Sequence, residues 1–151
     1  MTPIFALQPI PKSIFLAGPT PRDPHVPSWR PAALDLLTTM GFHGAVYVPE
    51  SENWEPHDHY DSQVDWEWEA LNASTVVVFW IPRHLETLPA FTPNVEFGLS
   101  IQSGKVVLGY PEGAPKNKYL DRLAKRYGAP VFHTLEETLR AAVEKTKQPF
   151  Q

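Results

Sequence analysis

The chain has 151 residues and a formal charge of −4, a length that fits one domain over residues 1–151, large enough to bury roughly 70% of its unfolded surface without staples. It has no cysteine, which excludes disulfides and thiolate metal sites and fits a reducing cytoplasm. No basic run points to a nucleic-acid polymer or an anionic membrane, Met1–Lys12 lacks the apolar centre of a signal peptide, and the longest apolar stretch, Val76–Ile81, is far too short to span a bilayer.

Five short apolar runs alternate with helix-like stretches, and most of the 17 prolines fall between them as rigid loop punctuation. The first run, Ser13–Ala17, stops at Gly18-Pro19. Ser28 is placed to cap a helix that carries Pro31 in its first turn, an apolar stripe of Ala33, Leu34, Leu37 and Met40, and Gly41 just past its end. The second run, Ala45–Val48, ends at Pro49, and a polar loop from Glu50 to Tyr60 follows. Asp61 or Ser62 opens the next helix, with Val64, Trp68 and Leu71 as its expected buried face.

The third run, Thr75–Ile81, is apolar almost throughout and rich in β-branched residues, as expected of a strand covered on both faces. A loop from Pro82 to Pro93 leads to a helix capped by Asn94 and closed at Gly104. Lys105–Gly109 reads as the fourth strand, and Leu120, Leu123, Ala124 and Tyr127 mark a helix ended by Gly128. Pro130–Phe132 is a short last strand, and Thr134 with Glu137 forms a capping box for the final helix. Alternating strand and helix predicts an α/β domain: a five-stranded parallel sheet with helices on both faces. Ligands then bind outside the carboxyl ends of the strands, in the loops after strands one to four.

Three segments carry candidate chemistry. Asn94-Val95-Glu96-Phe97-Gly98 puts Glu96 in an expected first helical turn, where the helix dipole favours the anion that a nucleophile needs. Asp65-Trp66-Glu67-Trp68-Glu69 offers three carboxylates; Glu67 lies at the edge of the apolar stripe and is the candidate acid, while Asp65 and Glu69 turn toward solvent. Ala17-Gly18-Pro19-Thr20-Pro21-Arg22 follows the first strand, with Gly18 allowing close backbone approach to a ligand and Thr20 and Arg22 supplying donors. Arg22, Arg30 and Arg83 are candidates for holding a 5′-phosphate. Trp80, at the end of the central strand, is the candidate for stacking on a base, ahead of Trp54, Trp66 and Trp68. His57-Asp58-His59 with Asp61 has an H-x-H spacing but no distant further ligand, so it reads as a surface loop and no metal is expected.

Phe15-Leu16-Ala17-Gly18-Pro19, Trp66-Glu67 before Val76–Trp80, and above all Asn94-Val95-Glu96-Phe97-Gly98 followed by Ser103-Gly104-Lys105 resemble the nucleoside 2-deoxyribosyltransferase-like family over about Ile14 to Leu123. The resemblance implies a flavodoxin-like sheet, Glu96 as nucleophile, a carboxylate at Glu67 (or, second to it, Asp65) assisting the leaving base, and the Gly18 loop, with Pro19, beside the sugar. It also implies a small-molecule nucleoside or nucleotide as substrate, no cofactor, and a homo-oligomer such as a dimer. Two departures stand out. Pro89-Ala90-Phe91-Thr92-Pro93 lacks the acid that many members carry before the nucleophile, and Lys147–Gln151 shows no match to the C-terminal segment that completes a neighbour's site. The expected reaction is cleavage or transfer at an N-glycosidic bond through a glycosyl-enzyme, with Trp80, Arg83 and Asn94 among the substrate-binding residues. A nucleoside 5′-monophosphate N-glycosidase and a non-catalytic nucleotide- or flavin-binding module are the rival readings.

Overall fold

The computed structural model describes residues 1, 3, 5, 6, 11–50 and 60–148. Its centre is a five-stranded, all-parallel sheet formed by β1 (Ser13–Ala17), β2 (Ala45–Tyr47), β3 (Val76–Trp80), β4 (Val106–Gly109) and β5 (Val131–Phe132), in the order β2-β1-β3-β4-β5. Every residue of β1, β3 and β4 is buried, the physical reason these runs are continuously apolar rather than alternating. β1 and β3 pair with Ile14 opposite Val76 and Ala17 opposite Phe79.

The five α-helices sit in two layers. α1 (Arg30–Thr39) and α5 (Leu135–Thr146) cover one face, over Ile14, Leu16, Val76, Val78 and Val107. α2 (Tyr60–Ala73), α3 (Phe91–Ser100) and α4 (Lys118–Tyr127) cover the other, over Phe15, Ala17, Val77, Phe79 and Leu108. The result is a flavodoxin-like three-layer sandwich. Strand order reverses at β1, so the crevice between the carboxyl ends of β1 and β3 is the place where this topology receives ligands. No helix among the described residues is long and apolar enough to cross a membrane.

Local structure follows the chain with informative exceptions. Thr134 caps α5, its hydroxyl accepting the Glu137 N–H at 3.2 Å. Gly104 and Gly128 end their helices in the left-handed region, with φ of 76° and 72°. Ser28 lies one residue outside the helix cap: Trp29 occupies the cap position, and the Ser28 hydroxyl accepts the Arg30 N–H at 3.2 Å. Helix α3 begins at Phe91 rather than at Asn94, because Pro93 falls in the first turn, where its missing N–H has no intrahelical acceptor to serve. The turn into α3 is made by Ala90 at φ 59°, a left-handed conformation that a non-glycine residue adopts at some cost.

The buried face of α2 also differs from the expected one. Ala70 and Leu71 are buried, Glu67 is half-buried, and Trp68 is 57% exposed. Trp66, in place of Trp68, packs against Phe15 and Tyr47, with ring centroids 6.5 and 6.2 Å away, while 42% of its surface stays exposed. Two carboxylates flank each tryptophan in this segment, so polarity along the chain did not discriminate between the faces.

Candidate active site

Three carboxylates reach one buried arginine at the carboxyl ends of β1 to β3. Arg30, the first residue of α1, is 1% exposed. Its guanidinium donates from Nε to the Leu16 carbonyl at 3.0 Å, from Nη2 to the Gly18 carbonyl at 2.8 Å, and from Nη1 to the Thr20 hydroxyl at 2.8 Å and Glu50 Oε1 at 2.5 Å. The Ser28 hydroxyl donates to the same Glu50 oxygen at 2.7 Å. Glu96 and Glu67 also lie within the electrostatic reach of this cation, Glu96 the more strongly.

Glu96 comes from the middle of α3 and is 9% exposed. Burial, then the negative charge of Glu67, raise its pKa to about 7, against the opposing pull of Arg30. Glu67 is also raised, chiefly by burial, while a hydrogen bond from Gln63 Nε2 at 3.2 Å and the Arg30 charge restrain it. The less covered Glu67 ionises first, and its charge then helps hold the proton on Glu96. At neutral pH, close to the Glu96 midpoint, the pair therefore retains about half of one shared proton, and below that midpoint it holds the whole of it.

This arrangement corrects the basis on which Glu96 was expected to be an anion. The residue is not in the first turn, and the helix dipole does not set its charge; desolvation does, in the opposite direction. Asp65 faces solvent, as expected of it from the helix geometry. It is exposed on the outer side of α2, lining an open groove of about 520 Å³ with Tyr60, Asp61, Val64 and Trp68. Neither Glu67 nor Glu96 lines that groove.

The loop after β1 lies at the carboxyl end of that strand, and packing requires its glycine. Gly18 has φ 150°, and a Cβ there would lie 2.2 Å from the Trp80 carbonyl and 2.9 Å from the Trp29 ring. Glycine is needed so that the loop can pack on the end of β3. Pro19 is buried and its carbonyl accepts the Trp29 indole N–H at 3.1 Å. Thr20 is exposed with its hydroxyl engaged by Arg30, and Arg22 is exposed.

Two expected binding residues are turned away. Trp80 is 7% exposed, and its ring lies against Gly109, where Thr138 of α5 also packs. Strand alternation places it on the α1–α5 side, opposite Glu96, so it offers no face to a base. Arg83 is 5% exposed. Its Nη groups donate to the carbonyls of Pro89 and Ala90 and to the side-chain oxygens of Asn94 and Asn117, and its Nε is buried without a partner. Arg83 therefore stitches the loop before α3 to the start of α4 and presents no N–H to a phosphate. Asn94, held by that contact at 2.6 Å, is half-buried within α3 and supports the segment that carries Glu96.

Sequence reasoning missed Glu50, which follows Pro49 at the carboxyl end of β2. That position, one residue into a loop on the ligand side of a parallel sheet, was the available signal. Trp54, the His57-Asp58-His59 cluster and the last residues, 149–151, lie outside the described residues.

Residues 11–114 match the sequence model of the family described as nucleoside 2-deoxyribosyltransferase like, a span that contains Gly18, Arg30, Glu50, Glu67 and Glu96. No curated protein matches the chain.

Proposed function

Because the chain belongs to the nucleoside 2-deoxyribosyltransferase-like family, we propose that it cleaves or transfers at the N-glycosidic bond of a (deoxy)nucleoside, as a cytoplasmic enzyme with Glu96 as nucleophile and Glu67 as the proton donor. The observation that carries this reading is the pairing of buried Glu96 with half-buried Glu67, with Glu96 poised at about 7, at the point where the strand order reverses.

In this mechanism the Glu96 carboxylate attacks the anomeric carbon while the C–N bond breaks, and the bonding electrons leave with the base. Glu67 passes its proton to the departing nitrogen. The products are a glycosyl ester on Glu96 and the free base. Water or a second base then attacks the same carbon and regenerates the Glu96 carboxylate. The chemistry needs the shared proton on Glu67 and the charge on Glu96, the reverse of the distribution favoured in the free protein. The positive charge developing on the sugar beside Glu96 favours the required form. In this reading the Gly18–Arg22 loop meets the sugar, with the exposed Arg22 as its cation.

Incubation with labelled deoxynucleosides and deoxynucleoside 5′-monophosphates, with and without a free acceptor base, tests the reaction. Base release or exchange that Glu96→Ala abolishes, with a sugar adduct on Glu96 detected by intact mass and peptide mapping, is the expected result. Release without exchange identifies a hydrolase. No turnover of any nucleoside by the folded protein overturns the proposal.

The same reading includes a homo-oligomer. Phe91, Val95 and Leu99 of α3 are 77, 64 and 70% exposed at four-residue spacing, and Tyr60 and Trp68 of α2, on the same side of the sheet, are 72 and 57% exposed. Apolar helix faces of this kind mark interaction surfaces, and a two-fold pairing of α2 and α3 with a second copy covers both. Sedimentation equilibrium is expected to show a dimer that Val95→Glu with Leu99→Glu converts to a folded monomer. A monomeric wild-type chain refutes it.

A further inference from the structure

Building on the Glu96 mechanism, we propose that Arg30 is the positioning residue of this site: from beneath the Gly18 loop it fixes the loop's backbone and supplies the cation that draws the working negative charge onto Glu96. The geometry has two parts. The guanidinium binds the carbonyls on either side of Ala17, those of Leu16 and Gly18, together with the Thr20 hydroxyl, so one side chain sets the path of the chain from the end of β1 into the loop. A lysine presents no such planar fork and does not reproduce these contacts together.

The second part is electrostatic. Arg30 is buried, so its field is weakly screened. Its charge acts on Glu50 from the end of β2, Glu67 from α2 and Glu96 from α3, and the Trp29 ring lies 4.9 Å from its guanidinium carbon. Of these three carboxylates Glu50 alone is bonded to it, through an oxygen also held by Ser28. One cation thus serves three carboxylates. Glu50 keeps Arg30 in place and at the same time neutralises part of the charge that reaches Glu96. Arg30 favours the ionised forms of both Glu96 and Glu67 but couples more strongly to Glu96, which moves the shared proton toward Glu67, the distribution that bond cleavage requires.

The test is direct titration of Glu96 by carboxyl 13C NMR in the ligand-free wild type, Arg30→Gln, Arg30→Lys and Glu50→Gln, followed by steady-state base release from a deoxynucleoside. Arg30→Gln is expected to raise the Glu96 midpoint by about one unit, as loss of a nearby opposite charge does. Arg30→Lys is expected to restore most of that midpoint but to leave KM raised about tenfold, because the charge returns without the loop contacts. Glu50→Gln is expected to move the midpoint the other way, downward, since it frees the cation. General damage to the fold does not produce shifts of opposite sign. If Arg30→Gln does not fold, the Glu50→Gln arm decides alone. An unchanged or raised Glu96 midpoint in folded Glu50→Gln, or an unchanged midpoint in folded Arg30→Gln, overturns the proposal. The titrations are read without substrate, so they separate failure of this inference from failure of the glycosidic reading, in which base release is absent from the wild type itself.

Discussion

Glu96→Gln is expected to stabilise the protein, by an amount that grows as pH rises from about 4.5 to 7 and is then constant. Glu96 titrates near 7 when folded, against an ordinary value of 4.5. Between those two values the folded chain binds more protons than the unfolded chain, so stability falls as pH rises through that window. At about 1.4 kcal/mol per unit, the ionised, buried Glu96 costs the folded state roughly 3 kcal/mol above pH 8, and nothing below pH 4. Glutamine has nearly the same shape and no charge to desolvate, so it removes that penalty. The assay is urea unfolding of wild type and Glu96→Gln at pH 4.5, 6 and 8.5, with thermal melts alongside. The stability difference is expected to grow in favour of the variant by roughly 2–3 kcal/mol from the lowest to the highest pH, a shift in midpoint of about 4–12 °C for a chain of this size. A difference that is flat with pH shows that Glu96 is not held above its ordinary range. A difference that grows in favour of wild type shows that the anion is stabilised, and refutes the electrostatic account of the site.

The other predictions concern the acid pair and the scaffold beneath it. Activity is expected to fall as pH rises through about 7, because the pair then loses the proton that Glu67 must donate; Glu67→Gln removes the donor and the neighbouring charge, so it lowers kcat on the order of 100-fold and leaves a residual activity that rises with pH as Glu96 ionises, at a midpoint below 7, both read from a pH–rate profile. Gly18→Ala is expected to cost at least about 2 kcal/mol in chemical denaturation, because its Cβ would meet the Trp80 carbonyl at 2.2 Å with no flexible group to yield; a loss below about 0.5 kcal/mol contradicts that packing. Lys105→Met removes the ammonium that donates to the carbonyls of Leu71, Asn72 and Ser74 at the end of α2, and is expected to cost about 1–3 kcal/mol without altering the pH profile.

The layered sheet was legible in the sequence because burial on both faces leaves a plain signature. Ser13–Ala17, Val76–Trp80 and Val106–Gly109 are continuous apolar runs separated by helix-length segments, and few other architectures accept that pattern. Glycines after helices and the Thr134 cap were legible for the same kind of reason, since backbone conformation restricts residue type at those places. The segment Asn94–Gly98 and the carboxylate at Glu67 could be picked out, and with the strand pattern they placed two acids on the ligand end of the sheet.

What each side chain faces was decided only by the tertiary structure. Trp66 and Trp68 are chemically alike and two residues apart, and only docking of α2 on the sheet brings Trp66, and not Trp68, against Phe15 and Tyr47. Arg22, Arg30 and Arg83 were equivalent as loop cations, yet one is exposed, one anchors the Gly18 loop and Glu50, and one is enclosed by carbonyls and asparagines. The charge state of Glu96 could not be read locally at all. It depends on desolvation and on Glu67 and Arg30, which stand 29 and 66 positions away in the chain and meet it only in the folded protein. Sequence pattern reports what the backbone and the solvent demand of a residue. Which distant charge it meets, and how little water remains between them, is a property of packing.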